Sequence, residues 1–444
     1  MTLDLCRSHP VPPKRMALAL LVALAAASGC GDAPPPESKT AVRATTADSE
    51  PRFRGLWVLC EGSARTLEDP ARIEALVERA AARGVTDLFV QVFRGGRSWF
   101  DSTRSDAGPF ETIREATGLD PLAETLQRAH AAGIRVHAWV NVLSLSQNRE
   151  ARILEDLGRD AVHVDRRGRS VLDYPAFDLP APDREYYRMG TRGIYLDPAA
   201  PGVREWLTAA FVELLARYPG LDGLHLDYIR HPLVLPISPG SRFGVGLDFG
   251  DGRATRERFR RETGLPGPWA GSDTPRSSIA GGAAWDAWRR DQVTALVGSL
   301  REAIDALRPG VQLSAAVIPY ADRAYLALAQ DWRFWLEESL IDFAIPMVYT
   351  RDSRLFGYQV DAFGAGSYAS RLWAGLGVWL FADAPAGAVA QVGIADASGM
   401  AGDALFSYDA IVDSPALYGA LVEAAGDRGG DRGPAIDADP ARDQ

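Results

Sequence analysis

Apolar residues recur along this chain in two alternating rhythms. Short runs read as strands: Gly55–Leu59, Asp87–Phe93, Arg135–Val142, Gly223–Ile229, Gln312–Val317, Asp342–Val348, Trp373–Leu380 and Asp403–Tyr408. Between and after them the spacing turns helical over Pro70–Arg83, Asp120–Ala132, Val203–Tyr218, Trp285–Leu307, Trp332–Leu340, Ser353–Ser370, Ala386–Ala397 and Ser414–Ala425. The punctuation agrees. Asp69-Pro70 and Asp120-Pro121 combine a capping carboxylate with a proline suited to the first helical turn, and Gly84 and Gly133 follow helix ends. Eight strands, each followed by a helix, predict a closed parallel (β/α)8 TIM barrel rather than an open sheet.

Two connections break the short-loop rule. Leu143–Pro201 and His231–Ala284 follow the third and fourth strands, so both are expected on the face where the carboxyl ends of the strands emerge. The first holds Tyr174, Phe177, Tyr186, Tyr187 and Tyr195 among prolines. Such aromatics either stack on sugar rings at a barrel mouth or form small cores that hold the loop in place.

Chemistry concentrates at strand ends. The fourth strand alternates Leu224 and Leu226 on one face with His225 and Asp227 on the other, and Arg230 follows closely. Three ionisable groups at the end of an apolar strand make a poor core. They are a good way to present a carboxylate at the mouth of a barrel. Arg230 is expected to hold Asp227 ionised, as nucleophile or as stabiliser of an oxocarbenium-like transition state. A second carboxyl must supply the proton. Glu61, Asp352 and Asp383 are candidates, and Glu61 is preferred because Trp57 and Leu59 would desolvate it. Arg94, Trp139, Asn141, Tyr228, Tyr349, Gln91 and Tyr408 are further polar or aromatic residues at strand ends. His137, His225 and His231 lack the paired spacing of a metal site, so no metal is expected. No phosphate loop, dinucleotide fingerprint or Gly-x-Ser-x-Gly elbow is present, and no cofactor is expected.

The chain has 444 residues and a net charge of -10 without a basic tract, which argues against nucleic acid as a partner. Arg7, Lys14 and Arg15 precede the apolar run Met16–Ala27, too short to span a bilayer but the length of a signal core. It ends in Ala27-Ser28-Gly29-Cys30, which resembles a bacterial lipobox and makes Cys30 the expected lipidation site. Residues 1–30 are therefore read as a lipoprotein signal, 31–52 as a solvated tether, 53–425 as the barrel and 426–444 as a disordered tail. Gly31, rather than Asp, after Cys30 favours the outer membrane by analogy with enteric bacteria. Of three cysteines only Cys60 remains within the barrel, which excludes a disulfide framework and reads as a buried structural thiol.

Several segments together resemble the bacterial glycosyl-hydrolase-like family 10 of lipoproteins. They include Arg54-Gly-Leu-Trp-Val58, Val136-His-Ala-Trp-Val-Asn141, Ile194-Tyr-Leu-Asp-Pro198, Asp222-Gly-Leu-His-Leu-Asp-Tyr-Ile-Arg230, Pro346-Met-Val-Tyr-Thr350 and Leu405-Phe-Ser-Tyr-Asp409, in order between about Arg54 and Ala425. The resemblance implies a (β/α)8 barrel on a lipid anchor that cleaves peptidoglycan glycan strands. It places Asp227 on the acidic residue ending strand four, and Trp139, Asn141 and Tyr349 among those lining the site. Two positions depart from the pattern: Tyr228 follows a single Asp227 where a pair of acidic residues is common, and Val348 replaces an Asn. The fourth strand is also similar to that of chitinases, but Ile229 stands where their acidic Glu would be. The expected protein is a lipid-anchored glycoside hydrolase of the bacterial envelope, with Asp227 and Glu61 catalytic and Arg94, Trp139, Asn141, His225, Tyr228, Arg230, Tyr349 and Asp383 around a polysaccharide. The alternative is an inactive glycan-binding lipoprotein.

Overall fold

A computed structural model describes residues 52–237, 247–268 and 275–429, with backbone alone at 275–279 and 427–429. The signal segment, Cys30 and nearly all of the tether lie outside those residues, as does the tail beyond 429.

Eight parallel strands form the sheet: β1 Phe53–Val58, β2 Asp87–Arg94, β3 Arg135–Asn141, β4 Gly223–Asp227, β5 Gln312–Val317, β6 Phe343–Pro346, β7 Trp373–Gly377 and β8 Gly402–Phe406. Their order is β6-β5-β4-β3-β2-β1-β8-β7, and isolated parallel bridges Ala344–Leu372 and Met347–Gly375 join β6 to β7 and close the ring. Helices α1 Pro70–Arg83, α2 Pro121–Ala131, α3 Val203–Arg217, α4 Pro275–Leu307, α5 Trp332–Glu337, α6 Ser353–Gly364, α7 Pro385–Ala397 and α8 Pro415–Gly429 follow the strands in turn. The (β/α)8 barrel read from the alternating pattern is borne out, strand by strand. Caps work as their residue types dictate: Asp69 accepts from the Ala71 amide and Asp120 from the Ala123 amide, at 2.8 and 3.0 Å.

Side chains alternate across each strand. Outward residues such as Leu88, Val90, Leu224 and Leu226 pack under the helices in the main core. Inward residues fill the barrel axis with aromatics: Trp57, Phe89, Trp139, Phe343 and Trp373, of which the last two stack at 4.3 Å. Each ring of this kind is worth about 3–5 kcal/mol against alanine. Small residues make the room. A Cβ at Gly55 would lie 2.7 Å from the Phe89 ring, and one at Gly223 would lie 2.0 Å from the His137 imidazole.

Helices that the apolar spacing did not announce occupy Gly108–Thr117, Arg253–Thr263 and Ala321–Ala327. The middle one buries only Thr255 and Phe259, too few apolar positions to set a period. Helix α8 continues to Gly429, four residues into the segment read as tail.

The two long loops are folded onto each other. Ser144–Ser146 pairs antiparallel with Ile194–Tyr195 inside the first loop, and Tyr187–Met189 pairs with Val234–Pro236 of the second. Arg169 bridges Asp165 and Asp183, and the Tyr174 hydroxyl donates to Asp165 at 2.7 Å. Tyr174 and Tyr195 are buried, Phe177 lies under Arg149, and only Tyr186 is well exposed. Most of these loop aromatics form a small core and do not line the barrel mouth.

Candidate active site

Strand β4 sends His225 and Asp227 toward the barrel axis because Leu224 and Leu226 claim the helix side. Asp227, the last residue of the strand, forms part of the floor of a cavity of about 310 Å³ at the carboxyl-end face. The chain turns sharply behind it. Tyr228 takes a left-handed φ of 51°, a costly conformation for a bulky residue, and its amide donates to Asp227 Oδ1 at 2.7 Å. Arg230 stacks its guanidinium over the Tyr228 ring at 4.9 Å and exerts a charge on Asp227 without forming an ion pair within 4.0 Å. Burial pushes the Asp227 pKa up, and the opposing pull of Arg230, the Tyr228 amide and Trp139 does not cancel it. The Trp139 indole N–H favours the charged carboxylate from outside hydrogen-bonding geometry and is otherwise unpartnered.

Polar partners come from the neighbouring strands. Gln91 on β2 donates to Asn141 on β3 at 3.3 Å, and its oxygen accepts from the Cys60 thiol at 3.2 Å. Burial pushes the Cys60 pKa up, so the thiol is inert packing. Beyond β6, Tyr349 is held protonated, first by burial and then by the nearby Asp227 and Tyr228. Its ring meets Trp379 at 4.8 Å and Phe406 at 5.8 Å, and Trp379 leaves 40% of its surface open to solvent. The cavity thus has a carboxyl in its floor, an amide pair on one side and an aromatic wall on the other.

Nine residues singled out by sequence meet around this one cavity: Glu61, Gln91, Arg94, Trp139, Asn141, Asp227, Tyr228, Arg230 and Tyr349. Glu61, however, is not desolvated. Its side chain, in the β1–α1 loop, is 45% exposed and paired with Arg94, although Trp57 and Leu59 line the same cavity. His225 lies beneath the cavity, fully buried. Trp57 Nε1 donates to its Nε2 at 3.1 Å, which leaves Nδ1–H to donate to Ser314 at 2.9 Å. Burial, with some help from His137, drives its pKa well down, so His225 is a neutral core residue and not a sugar ligand. Asp383 is exposed and does not line the cavity. Asp352 caps α6 through the Arg354 and Leu355 amides, and the Tyr408 hydroxyl is held by Arg79.

Each candidate histidine has its own partner: His137 has Asp87, His225 has Trp57 and Ser314, and His231 packs against His163. Among the described residues no group of three or more His, Cys, Asp or Glu is placed to hold a metal. Sequence reasoning left out Phe406 and Met347, which line the cavity, and Trp379, which packs against Tyr349 and Phe406. The first two follow from the same alternation that points Ala404 and Ile345 inward; Trp379 sits on an irregular turn that no period reaches.

Comparison with known proteins fits this geometry. Residues 52–366 match a family model described as glycosyl hydrolase-like 10. The glycosyl hydrolase DigH of Escherichia coli K12 is 24% identical over 389 residues, covering 79% of each chain. The glycosyl hydrolase YngK of Bacillus subtilis is 25% identical over 247 residues, 52% of this chain and 39% of its own. Among solved structures, the catalytic domain of a β-amylase from Paenibacillus polymyxa superposes with a TM-score of 0.53 at 12% identity, over 84% of this chain and 97% of the other. A β-galactosidase from Marinomonas ef1 gives 0.51 at 12% identity, over 85% and 59%. At such identities the structural likeness speaks for the fold alone.

Proposed function

The chain belongs to the glycosyl hydrolase-like 10 family, and from that premise we propose that its barrel hydrolyses glycosidic bonds of an envelope polysaccharide, peptidoglycan glycan strands first. The resemblance read from the sequence is borne out at the level of the family. The observation that carries the activity is Asp227: a buried carboxyl with one backbone donor and no ion pair, in the floor of a cavity with an aromatic wall.

The surroundings of the two carboxyls favour the reverse of the roles expected from sequence. Desolvation moves Asp227 in the direction a proton donor needs. Glu61, in solvent beside Arg94, is the second carboxylate at the rim. Asp227 gives its proton to the leaving glycosidic oxygen as the bond to the anomeric carbon breaks, and Glu61 takes a proton from the water that adds to that carbon. Tyr349 and Asn141 position the ring. Asp227→Asn should abolish release of reducing ends from peptide-free wall glycan while leaving the melting temperature intact; undiminished release would reject the assignment.

The pairing of Glu61 with Arg94 favours a second reading, an inactive glycan-binding protein. Binding of wall glycan with no reducing ends after long incubation would establish it. Anchoring at Cys30 in the outer membrane rests on the lipobox and the apolar run before it. Cys30→Ser should then move the protein from the membrane to the soluble fraction.

A further inference from the structure

A second hollow, of about 390 Å³, adjoins the Asp227 cavity and shares Glu61, Arg94, Asn141 and Tyr228 with it. Its character is different. Arg94, Arg97 and Arg192 all face it, against a single carboxylate, Glu61, in a chain whose net charge is -10.

The sequence Arg94-Gly-Gly-Arg97 builds this charge deliberately. Gly95 and Gly96 adopt φ of 64° and 74°, the left-handed pair that a two-residue hairpin requires, and Arg94 and Arg97 become direct cross-strand partners. Like charges directly opposite each other in an antiparallel pair are destabilising, so a fold indifferent to function gains nothing from this arrangement. The turn is also clamped: Asn148 donates to the Gly95 carbonyl at 2.8 Å, and a Cβ at Gly96 would lie 2.8 Å from Ala151. Each arginine is steadied through one nitrogen. Arg97 Nε meets Asp106 at 3.3 Å and Arg192 Nη2 meets Asp178 at 2.8 Å, and neither acid lines the hollow. The rest of each guanidinium fork remains for a ligand, and the fork geometry matches a carboxylate.

We propose that this hollow is a subsite for a sugar residue bearing a carboxylate, so that the substrate is an acidic glycan with one acidic residue held beside the bond at Asp227. The inference rests on the hydrolase reading for its place in the substrate but not for its chemistry. Both the lactyl ether of a muramic acid and the C6 carboxylate of a uronic acid present the required group.

The test compares peptide-free wall glycan with the same glycan after reduction of its muramic carboxyls to alcohols, and with a polyuronate. The unaltered protein should favour the acidic wall glycan over the reduced one by about tenfold in kcat/KM, the worth of a charge-assisted hydrogen bond. In Arg97→Ala/Arg192→Ala that ratio should fall toward one. Equal kcat/KM for the two glycans, or a ratio unchanged in the variant, overturns the proposal. Turnover of polyuronate that also depends on Arg97 and Arg192 assigns the subsite to uronates; polyuronate ignored alongside a retained wall-glycan preference assigns it to the lactyl group. If no glycan is cleaved, the hydrolase reading fails, and equilibrium binding of the same two wall glycans decides the subsite by the same ratio.

Discussion

Among the aspartates buried on the barrel strands, Asp87 and Asp227 lie at opposite ends, and their surroundings differ in kind. Asp87 opens β2 at the amino-end face and is fully buried. It accepts from Arg135 at 2.8 and 2.9 Å, from His137 at 2.9 Å and from Thr86 at 2.6 Å. Burial alone would raise its pKa, yet the hydrogen bonds of His137 and Arg135 outweigh it and the net shift is downward. Asp227 ends β4 at the other face with one amide donor, and there burial wins. A saturated carboxylate braces a fold. An under-satisfied one beside a cavity is a stored cost that only a substrate relieves.

The sharpest way to break this contrast is to neutralise each residue. Asp227→Asn is expected to lower turnover by about 10²–10⁴-fold, measured as reducing ends released, the usual worth of a positioned acid or base. Asp87→Asn should leave turnover per folded molecule alone but cost about 3 kcal/mol in denaturant unfolding. That is the lower end for a broken buried pair, because Arg135 is partly in solvent. Equal loss of stability in both would erase the distinction.

The next largest effect concerns the aromatic wall. Trp379→Ala removes an exposed indole that packs against Tyr349 and Phe406. It should raise KM by about tenfold with little change in melting temperature, as stacking on a sugar is worth roughly 1–3 kcal/mol by analogy with other flat ligands. An effect on melting alone would make Trp379 part of the core.

The pH dependence sharpens the comparison further. The Asp227 pKa is raised in the folded state, so its unfavourable contribution is absent below the unfolded carboxylate range and develops as pH rises through the folded value. Asp227→Asn should therefore melt no lower than the unaltered protein at neutral pH, with any gain vanishing in acid. Asp87 behaves oppositely: its stabilisation is present above the unfolded value and is lost as pH falls through the folded one. The deficit of Asp87→Asn should thus shrink toward acid pH. Scanning calorimetry across pH 3–8 reads both signs. Smallest of all, Asp383→Ala should change neither turnover nor stability by more than about 0.5 kcal/mol, as an exposed residue outside the cavity.

Sequence carried unequal amounts of this picture. The convergence of Glu61, Arg94, Asn141, Asp227 and Tyr349 was legible because strand-end residues of a parallel barrel share one face whatever the details of packing. His225 misled because period-two alternation reports which residues point inward but not at what height along the axis. Two residues below the mouth, the same orientation means burial between Trp57 and Ser314. Glu61 misled for another reason. Nearness in sequence to apolar residues does not decide exposure, and past the end of β1 the carboxylate stands partly open to solvent beside Arg94.

By itself the amino-acid order determined the eight-fold alternation, the closed parallel ring and the end of the ring at which chemistry gathers. Those follow from local periods of 2 and 3.6 residues and from the handed connections that join them. Only the tertiary structure decided which carboxyl loses its water, which arginines share a hollow, and that Tyr174 and Tyr195 brace a loop instead of facing a ligand. Desolvation and charge depend on distances between residues far apart in the chain, and no local pattern encodes them.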